Sequence, residues 1–184
     1  PSFTTIDLNT GDVKSYGVEV EGSFKVTPQW TLSGGGSLMH ARLTNTDIYT
    51  ATTGRTLASD RLPFQPDWNF FLNSNVTVPV GHGDLLFDAG LVGKGSRIPA
   101  SIRQVTPEVP GQPELRPLES YVLVNGSIGY RVGGVEVSAF VNNLFNKSYY
   151  ESYIERTTLI LAGLPNSDVG IIGDKRRYGV RVRL

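Results

Sequence analysis

Few side chains in this sequence have the types and spacing that chemistry needs. His40 and His82 are its only histidines, one on a strand-like run and one in a glycine turn. Neither has a carboxylate at ligand spacing and the chain has no cysteine, so neither a metal site nor a thiolate nucleophile is expected. Glu19 and Glu21 share one strand face, an arrangement open to acid–base work, but no histidine or nucleophile converges on them. Gly93-Lys94-Gly95-Ser96 is superficially like a phosphate loop, yet Walker spacing needs Ser or Thr directly after the Lys. Asn75-Val76-Thr77, Asn125-Gly126-Ser127 and Asn146-Lys147-Ser148 are glycosylation sequons by pattern only. What remains is recognition. Tyr149, Tyr150, Tyr153 and Arg156, with Leu159-Ile160-Leu161, are large groups in an otherwise polar connection. They are expected either to self-pack at an aromatic rim or to contribute to an extracellular pocket for an anionic, ring-bearing small molecule. No cofactor and no enzymatic step is expected.

The elements that carry these residues read as strands. The last run, Arg177 to Leu184, sets Tyr178, Val180, Val182 and Leu184 on one face and Arg177, Gly179, Arg181 and Arg183 on the other. Arginines on one strand face are costly against a dry core and tolerable if that face looks into water while the apolar face looks into lipid. The same alternation recurs. Val18, Val20, Gly22, Phe24 and Val26 oppose Glu19, Glu21, Ser23 and Lys25. Further runs start near Trp30, Trp68, Leu85, Val122 and Val135. Residues 1–15 read as a loop or a frayed strand top, and 97–117 as a proline-rich loop. Thr27–Gln29, Gly81–Gly83 and Gly133–Gly134 are tight turns, the last of the primed hairpin type. The connections 44–62, 97–117 and 148–174 are long.

Short turns at one rim and long loops at the other describe an antiparallel transmembrane β-barrel. Trp30 and Tyr130 beside short turns, and Trp68 beside a long loop, fall where aromatic girdles meet the two lipid interfaces. Composition agrees with this reading. The chain has 184 residues, 21 of them glycine, and its 17 basic residues balance 17 acidic ones, so no field points to nucleic acid. No apolar run approaches the ~18 residues of a membrane helix, a test to which barrel strands are blind. Two other all-β readings stand beside it: a self-contained eight-stranded outer-membrane protein of the OmpA or OmpX type, structural or adhesive, and a soluble lipocalin-like barrel. Seven strands can be counted, which an even-stranded closed barrel does not allow. Either Ser2–Asn9 adds an eighth, or these are the final strands of a larger barrel, the preferred expectation. Pro1-Ser2-Phe3 lacks an initiator methionine and a leader, as expected of a processed chain or a piece of a longer one.

The segment Val141-Asn142-Asn143-Leu144-Phe145-Asn146-Lys147-Ser148-Tyr149-Tyr150 resembles the "NLF(D/N)KxYY" stretch near the end of TonB-dependent outer-membrane receptors. Gly173 to Val180 is similar to that family's glycine-plus-arginine lead into the last strand, with Lys175 in place of the usual proline. Ser15 to Glu21 is similar to its "xxGxExE" strand, and Leu118 to Asn125 to the strand before the last hairpin. Arg177, Gly179, Val182 and Leu184 match the outer-membrane assembly signal, although the family usually ends in an aromatic. The resemblance implies that residues 1–184 are the C-terminal part of a 22-stranded barrel, whose plug domain and TonB-contacting segment lie outside this chain. It implies a bacterial outer-membrane transporter for a scarce nutrient, most often a ferric siderophore. Its implied partners are membrane lipid, the plug, the TonB complex and an extracellular small-molecule ligand. Glu19 and Glu21 then become lumen-wall carboxylates bonded to the plug. Gly34-Gly35-Gly36 becomes a place where neighbouring groups or the plug approach the wall closely.

Overall fold

Alternation of apolar and small polar residues gives these runs two chemically different faces, and the computed structural model pairs them into one sheet. Residues 9–54, 57, 59–99, 117–154 and 169–184 are described. Nine strands and one short helix are present among them: β1 (Asp12–Thr27), β2 (Trp30–Thr44), α1 (Asp47–Thr53), β3 (Trp68–Val80), β4 (Gly83–Lys94), β5 (Tyr121–Val132), β6 (Val135–Asn142), β7 (Tyr150–Ile154), β8 (Val169–Ile172) and β9 (Arg177–Arg183). Seven form a single sheet in the order β1-β2-β3-β4-β5-β6-β9, each neighbour antiparallel, while β7 and β8 form a separate two-stranded sheet. The large sheet is open, with β1 and β9 as its edges.

Register keeps the faces in phase from one edge to the other. Val20 lies opposite Gly36, Gly36 opposite Phe70, Phe70 opposite Gly93, and Gly93 opposite Val122. Val137 is opposite Tyr130 on one side and Val182 on the other. One face therefore carries Val18, Val20, Phe24, Leu72, Ile128, Val180 and Val182, all of them exposed. A one-residue slip at any pairing would have mixed the two faces. The only buried apolar side chains among the described residues are Ala41, Tyr49, Ile98, Leu118 and Tyr121, gathered at the long-loop end. A soluble barrel or sandwich of this size would bury one whole face of the sheet. Here an apolar face of seven strands is uncovered, which removes the soluble reading and matches a lipid-facing wall.

At the other end Gly133–Gly134 is the two-residue turn expected, and the turns read as Thr27–Gln29 and Gly81–Gly83 are one residue shorter. Thr27 pairs with Trp30, Val80 with Gly83 and Val132 with Val135, so each hairpin has a two-residue turn, with a register irregularity between Lys25 and Thr27. Gly133 and Gly134 have φ of 55° and 87°, the doubly positive geometry that a primed turn requires. β1 begins at Asp12, which is the strand-top rather than the loop reading of residues 1–15. Two expectations are corrected at the long-loop end. The 44–62 connection contains α1, a seven-residue helix closed by Gly54 in the left-handed region. It has no apolar periodicity to announce it, since Ile48 is exposed and Tyr49 alone is buried. The 148–174 connection contains β7 and β8, paired from Tyr150↔Ile172 to Ile154↔Val169. Of Ser2–Asn9, considered as an eighth strand, residues 2–8 lie outside the described residues, and Asn9 is in no strand.

Candidate functional site: the wide mouth of the lumen

The polar face of the sheet is a wall of cross-strand hydrogen bonds. Asp88 accepts from Asn75 Nδ2 at 2.6 Å and from Ser127 Oγ at 2.7 Å, each from its register partner on an adjacent strand. Nearer the short turns, Asp84, Arg131, Glu136 and Arg183 stand opposite one another in a row of alternating charge. Arg131 Nη2 lies 2.9 Å from Asp84, and Arg183 Nη1 3.7 Å from Glu136. Arg181 covers the Phe140 ring at 5.1 Å. Opposite pairs on one sheet face stabilise the register by a few tenths to ~1 kcal/mol each. Glu19 and Glu21 are exposed on this face of the β1 edge.

At the long-loop end the wall closes around one carboxylate. Lys94 and Tyr121 are register partners on the polar face. Arg97 extends β4 upward through a two-bond bridge to Leu118. Its side chain is 3% exposed, and it reaches the start of β7, where Nη2 donates to the Tyr150 carbonyl at 3.1 Å. Glu151 sits among these groups. It accepts from the Tyr121 hydroxyl at 2.9 Å and lies 3.7 Å from Arg97 Nη2 and 3.9 Å from Lys94 Nζ. The Arg97 guanidinium stacks over the Tyr121 ring at 5.6 Å, and Tyr121 meets Tyr149 at 4.2 Å between centroids. Arg97 Nη1 is buried with no hydrogen-bond partner among the described residues. Burial, and secondarily the charges of Tyr121 and Glu151, pushes the Tyr149 phenol above its ordinary value and keeps it neutral.

The recognisable 142–150 segment turns out to be a knot that shapes this mouth. Asn143 and Asn146 have φ of 52° and 51°, a region asparagine enters more readily than most residues. Asn143 is 3% exposed. Its Nδ2 donates to the carbonyls of Lys147 and Asp174, and its Oδ1 accepts from the Lys147 amide. Its own amide donates to Asn125 Oδ1, and the Leu144 amide to the Val124 carbonyl. The segment thus ends β6, leans on β5 and starts β7 in a new direction.

The residues singled out from the sequence are distributed as follows. Tyr149 packs on Tyr121. Tyr150 contributes its carbonyl to Arg97, and its side chain is exposed. Tyr153 pairs through its backbone with Gly170. Arg156 and 159–161 lie outside the described residues. Trp30 donates to Ser74 Oγ at 2.9 Å on the apolar face. Trp68 stacks with Phe70 at 6.0 Å, and the Tyr130 hydroxyl donates to the Val80 carbonyl at 3.0 Å beside a tight turn. Gly179 lies opposite Phe140, whose ring covers it, while Arg177 pairs with Asp174 at 2.8 Å. Val182 and Leu184 are exposed. Gly34, Gly35 and Gly36 are crowded by Leu72, Phe71 and Phe70 of β3, so the close approach comes from neighbours within the sheet. The Lys94 loop holds a phenol and a carboxylate rather than a cradle of amides. His40 stacks with Tyr16 at 5.0 Å. Arg97 and Glu151 were not singled out, because nothing in their spacing marks two residues that meet only across two loops.

An open antiparallel sheet with one lipid-type face, one hydrogen-bonded polar face and its long loops at one end is the wall of a transmembrane β-barrel. The TonB dependent receptor-like beta-barrel family profile matches residues 1–144, and this chain belongs to that family, whose barrels lie in the bacterial outer membrane. Family and structural neighbours are transport receptors rather than enzymes. Comparison with curated proteins returned no match. Among solved structures, the chain is similar to the ferric yersiniabactin uptake receptor FyuA from Yersinia pestis, with 19% identity and a TM-score of 0.72 over 95% of this chain and 24% of that one. It is similar to the ferric-catecholate import receptor Fiu from E. coli K12, with 22% identity and a TM-score of 0.67 over 92% of this chain and 20% of that one. The ferripyoverdine receptor of Pseudomonas aeruginosa gives 20% identity and a TM-score of 0.64, over 92% of this chain and 19% of that one. The chain thus spans a quarter or less of the length of these receptors.

Proposed function

We propose that residues 1–184 are the C-terminal part of a 22-stranded barrel, with a plug domain outside this chain, in a receptor that imports a ferric siderophore. TonB acting on the plug would supply the energy for import. The observation that carries the proposal is the likeness of this sheet to FyuA, Fiu and the ferripyoverdine receptor, each named for an iron–siderophore complex. The mouth supports it chemically. Lys94, Tyr149 and Tyr150 offer a cation and aromatic faces of the kind that hold an anionic, ring-bearing complex, with Arg97 and Tyr121 buried behind them. Tyr153 and Arg156 complete the proposed ligand loop. Arg177, Gly179, Val182 and Leu184 are proposed as the outer-membrane assembly signal, and Trp30, Trp68 and Tyr130 as interface aromatics.

The test is uptake of iron-55 presented on catecholate, hydroxamate and mixed-ligand siderophores to iron-starved cells with and without the gene. Loss of uptake for one class, with partial loss in the Tyr153→Ala/Arg156→Ala variant, is the expected result. Unchanged uptake of every class would turn the search to non-iron nutrients.

A further inference from the structure

The polar face of β9 holds more positive charge than its neighbours neutralise. Arg183 pairs with Glu136, and Arg177 with Asp174. Lys175 Nζ donates to the Ser148 hydroxyl, while Arg176 Nη1 only approaches the Leu144 carbonyl, at 3.5 Å. Arg181 has no ion pair and no side-chain hydrogen bond among the described residues; its guanidinium lies over the Phe140 ring at 5.1 Å. Gly179 makes that arrangement possible. It is the register partner of Phe140, whose ring lies across it, 3.2 Å from where a Cβ would stand. The ring thus fills the gap between Arg177 and Arg181, and Arg181 reaches over it. A guanidinium resting on a ring uses none of its N–H donors, so Arg181 keeps its full set for a partner.

These groups surround an open cavity of about 520 Å³, lined by Phe140, Asn142, Arg176, Arg177, Tyr178 and Arg181. Half of the lining is arginine and none of it is acidic. The depth of this cavity follows from register. Tyr121, at the mouth, stands five residues above Gly126, the partner of Val141. Arg181 is opposite Ser138, three residues below Val141. At ~3.4 Å per residue, Arg181 is about 25 Å farther along the strands than the mouth, toward the short turns. Anything passing along this wall from the long-loop end to the short-turn end would go by it.

We propose that Arg181, Arg177 and Asn142, gathered around the Phe140 ring, form a seat on the lumen wall for an anionic oxygen group, carboxylate or catecholate, of the small molecule the barrel imports. The inference rests on the transport reading above and deepens it, since it makes the cargo an anion and gives it a second seat below the mouth. The two arginines supply forked donors that match paired oxygens, and Asn142, the register partner of Arg177, adds an amide. Phe140 is a positioning residue that holds the Arg181 guanidinium toward the cavity. Both arginines are exposed, so an anion held there exchanges with water readily, as a site on a path through the wall requires.

The test is the rate at which phenylglyoxal modifies each arginine, followed by mass spectrometry of peptides. It uses the intact outer-membrane protein that carries this chain, purified in detergent so that reagent and probe can enter either end of the lumen. The probe is dihydroxybenzoate, an anionic catechol, and its uncharged amide is the control. Saturating dihydroxybenzoate should slow modification of Arg181 about tenfold, and that of Arg177 to a smaller degree, while the amide leaves both unchanged. Arg183, already paired with Glu136, should not respond. Phe140→Leu should lower the protection of Arg181, and Arg181→Gln that of Arg177; the parent measurement stands even where a variant fails to insert. Three results would overturn the seat: no protection of Arg181, equal protection by the amide, or an Arg181 that is unreactive with and without probe because another part of the receptor covers it. None of these depends on uptake, so the transport proposal survives them, and a failure of siderophore uptake leaves protection of Arg181 to be read on its own.

Discussion

Asn143 Nδ2 donates to the carbonyl of Asp174, 31 residues further along, at 2.9 Å. This bond, with the two that Asn143 makes to Lys147, ties both sides of the last hairpin at the height where the wall ends. Asn143→Ala removes all three bonds and keeps a side chain in a strained φ, at a cost of ~3 kcal/mol. Asn143→Gly should cost less, because only the bonds are lost. Thermal unfolding of the purified receptor in detergent, read as loss of its heat-modifiable gel mobility, would rank the two. Equal stability of parent and Asn143→Ala would show the knot to be dispensable.

Neighbouring residues on one strand should respond oppositely to the same charge. Leu32 lies on the apolar face and Ser33 on the polar face of β2. Leu32→Arg, like Val124→Arg on β5, should cost ~2–4 kcal/mol if it sits near the bilayer midplane, and Ser33→Arg much less. Folding titrations into lipid vesicles measure both. A larger loss at Ser33 would invert the assignment of faces.

The last strand should govern assembly more than stability. Val182 and Leu184 lie on the apolar face near the short-turn rim, where Val182→Asp and Leu184→Asp should cost no more than about 1 kcal/mol. They should nonetheless lower the fraction of receptor reaching the outer membrane, counted by cell-surface labelling. Arg177→Gln breaks an exposed pair with Asp174 and should change stability by no more than about 0.5 kcal/mol.

Tyr149 sets an upper pH limit on the mouth. Burial raises its phenol above the ordinary value of about 10, so the folded mouth favours the neutral form. Its contribution is complete below that value and is lost as the pH rises through the folded one. The ultraviolet titration difference between parent and Tyr149→Phe should isolate a late-ionising Tyr149, and the same difference taken in a Tyr121→Ala background should show ordinary ionisation. A titration unaltered by that change would mean Tyr149 is not held against Tyr121.

The seven strands, their two faces and the tight Gly133-Gly134 turn were legible in the sequence. Each depends on local geometry: side chains alternate along any strand, and successive glycines accept positive φ wherever they fall. The 142–150 segment was legible as a family signature, but the job of Asn143 was not, since its partners Asn125 and Asp174 are distant in the chain. The short helix α1 escaped notice because it buries a single side chain. The β7–β8 hairpin lay in a stretch read as loop because its four- and five-residue strands are too short to show a period.

The sequence by itself determined an antiparallel wall with one apolar and one polar face, because side chains alternate along any strand; the uncovered apolar face of the folded sheet then removed the soluble reading. Only the tertiary structure decided how the mouth of that wall is built. Arg97 and Tyr150 meet across 53 residues, and a pairing at that separation is selected by the register of the strands between them.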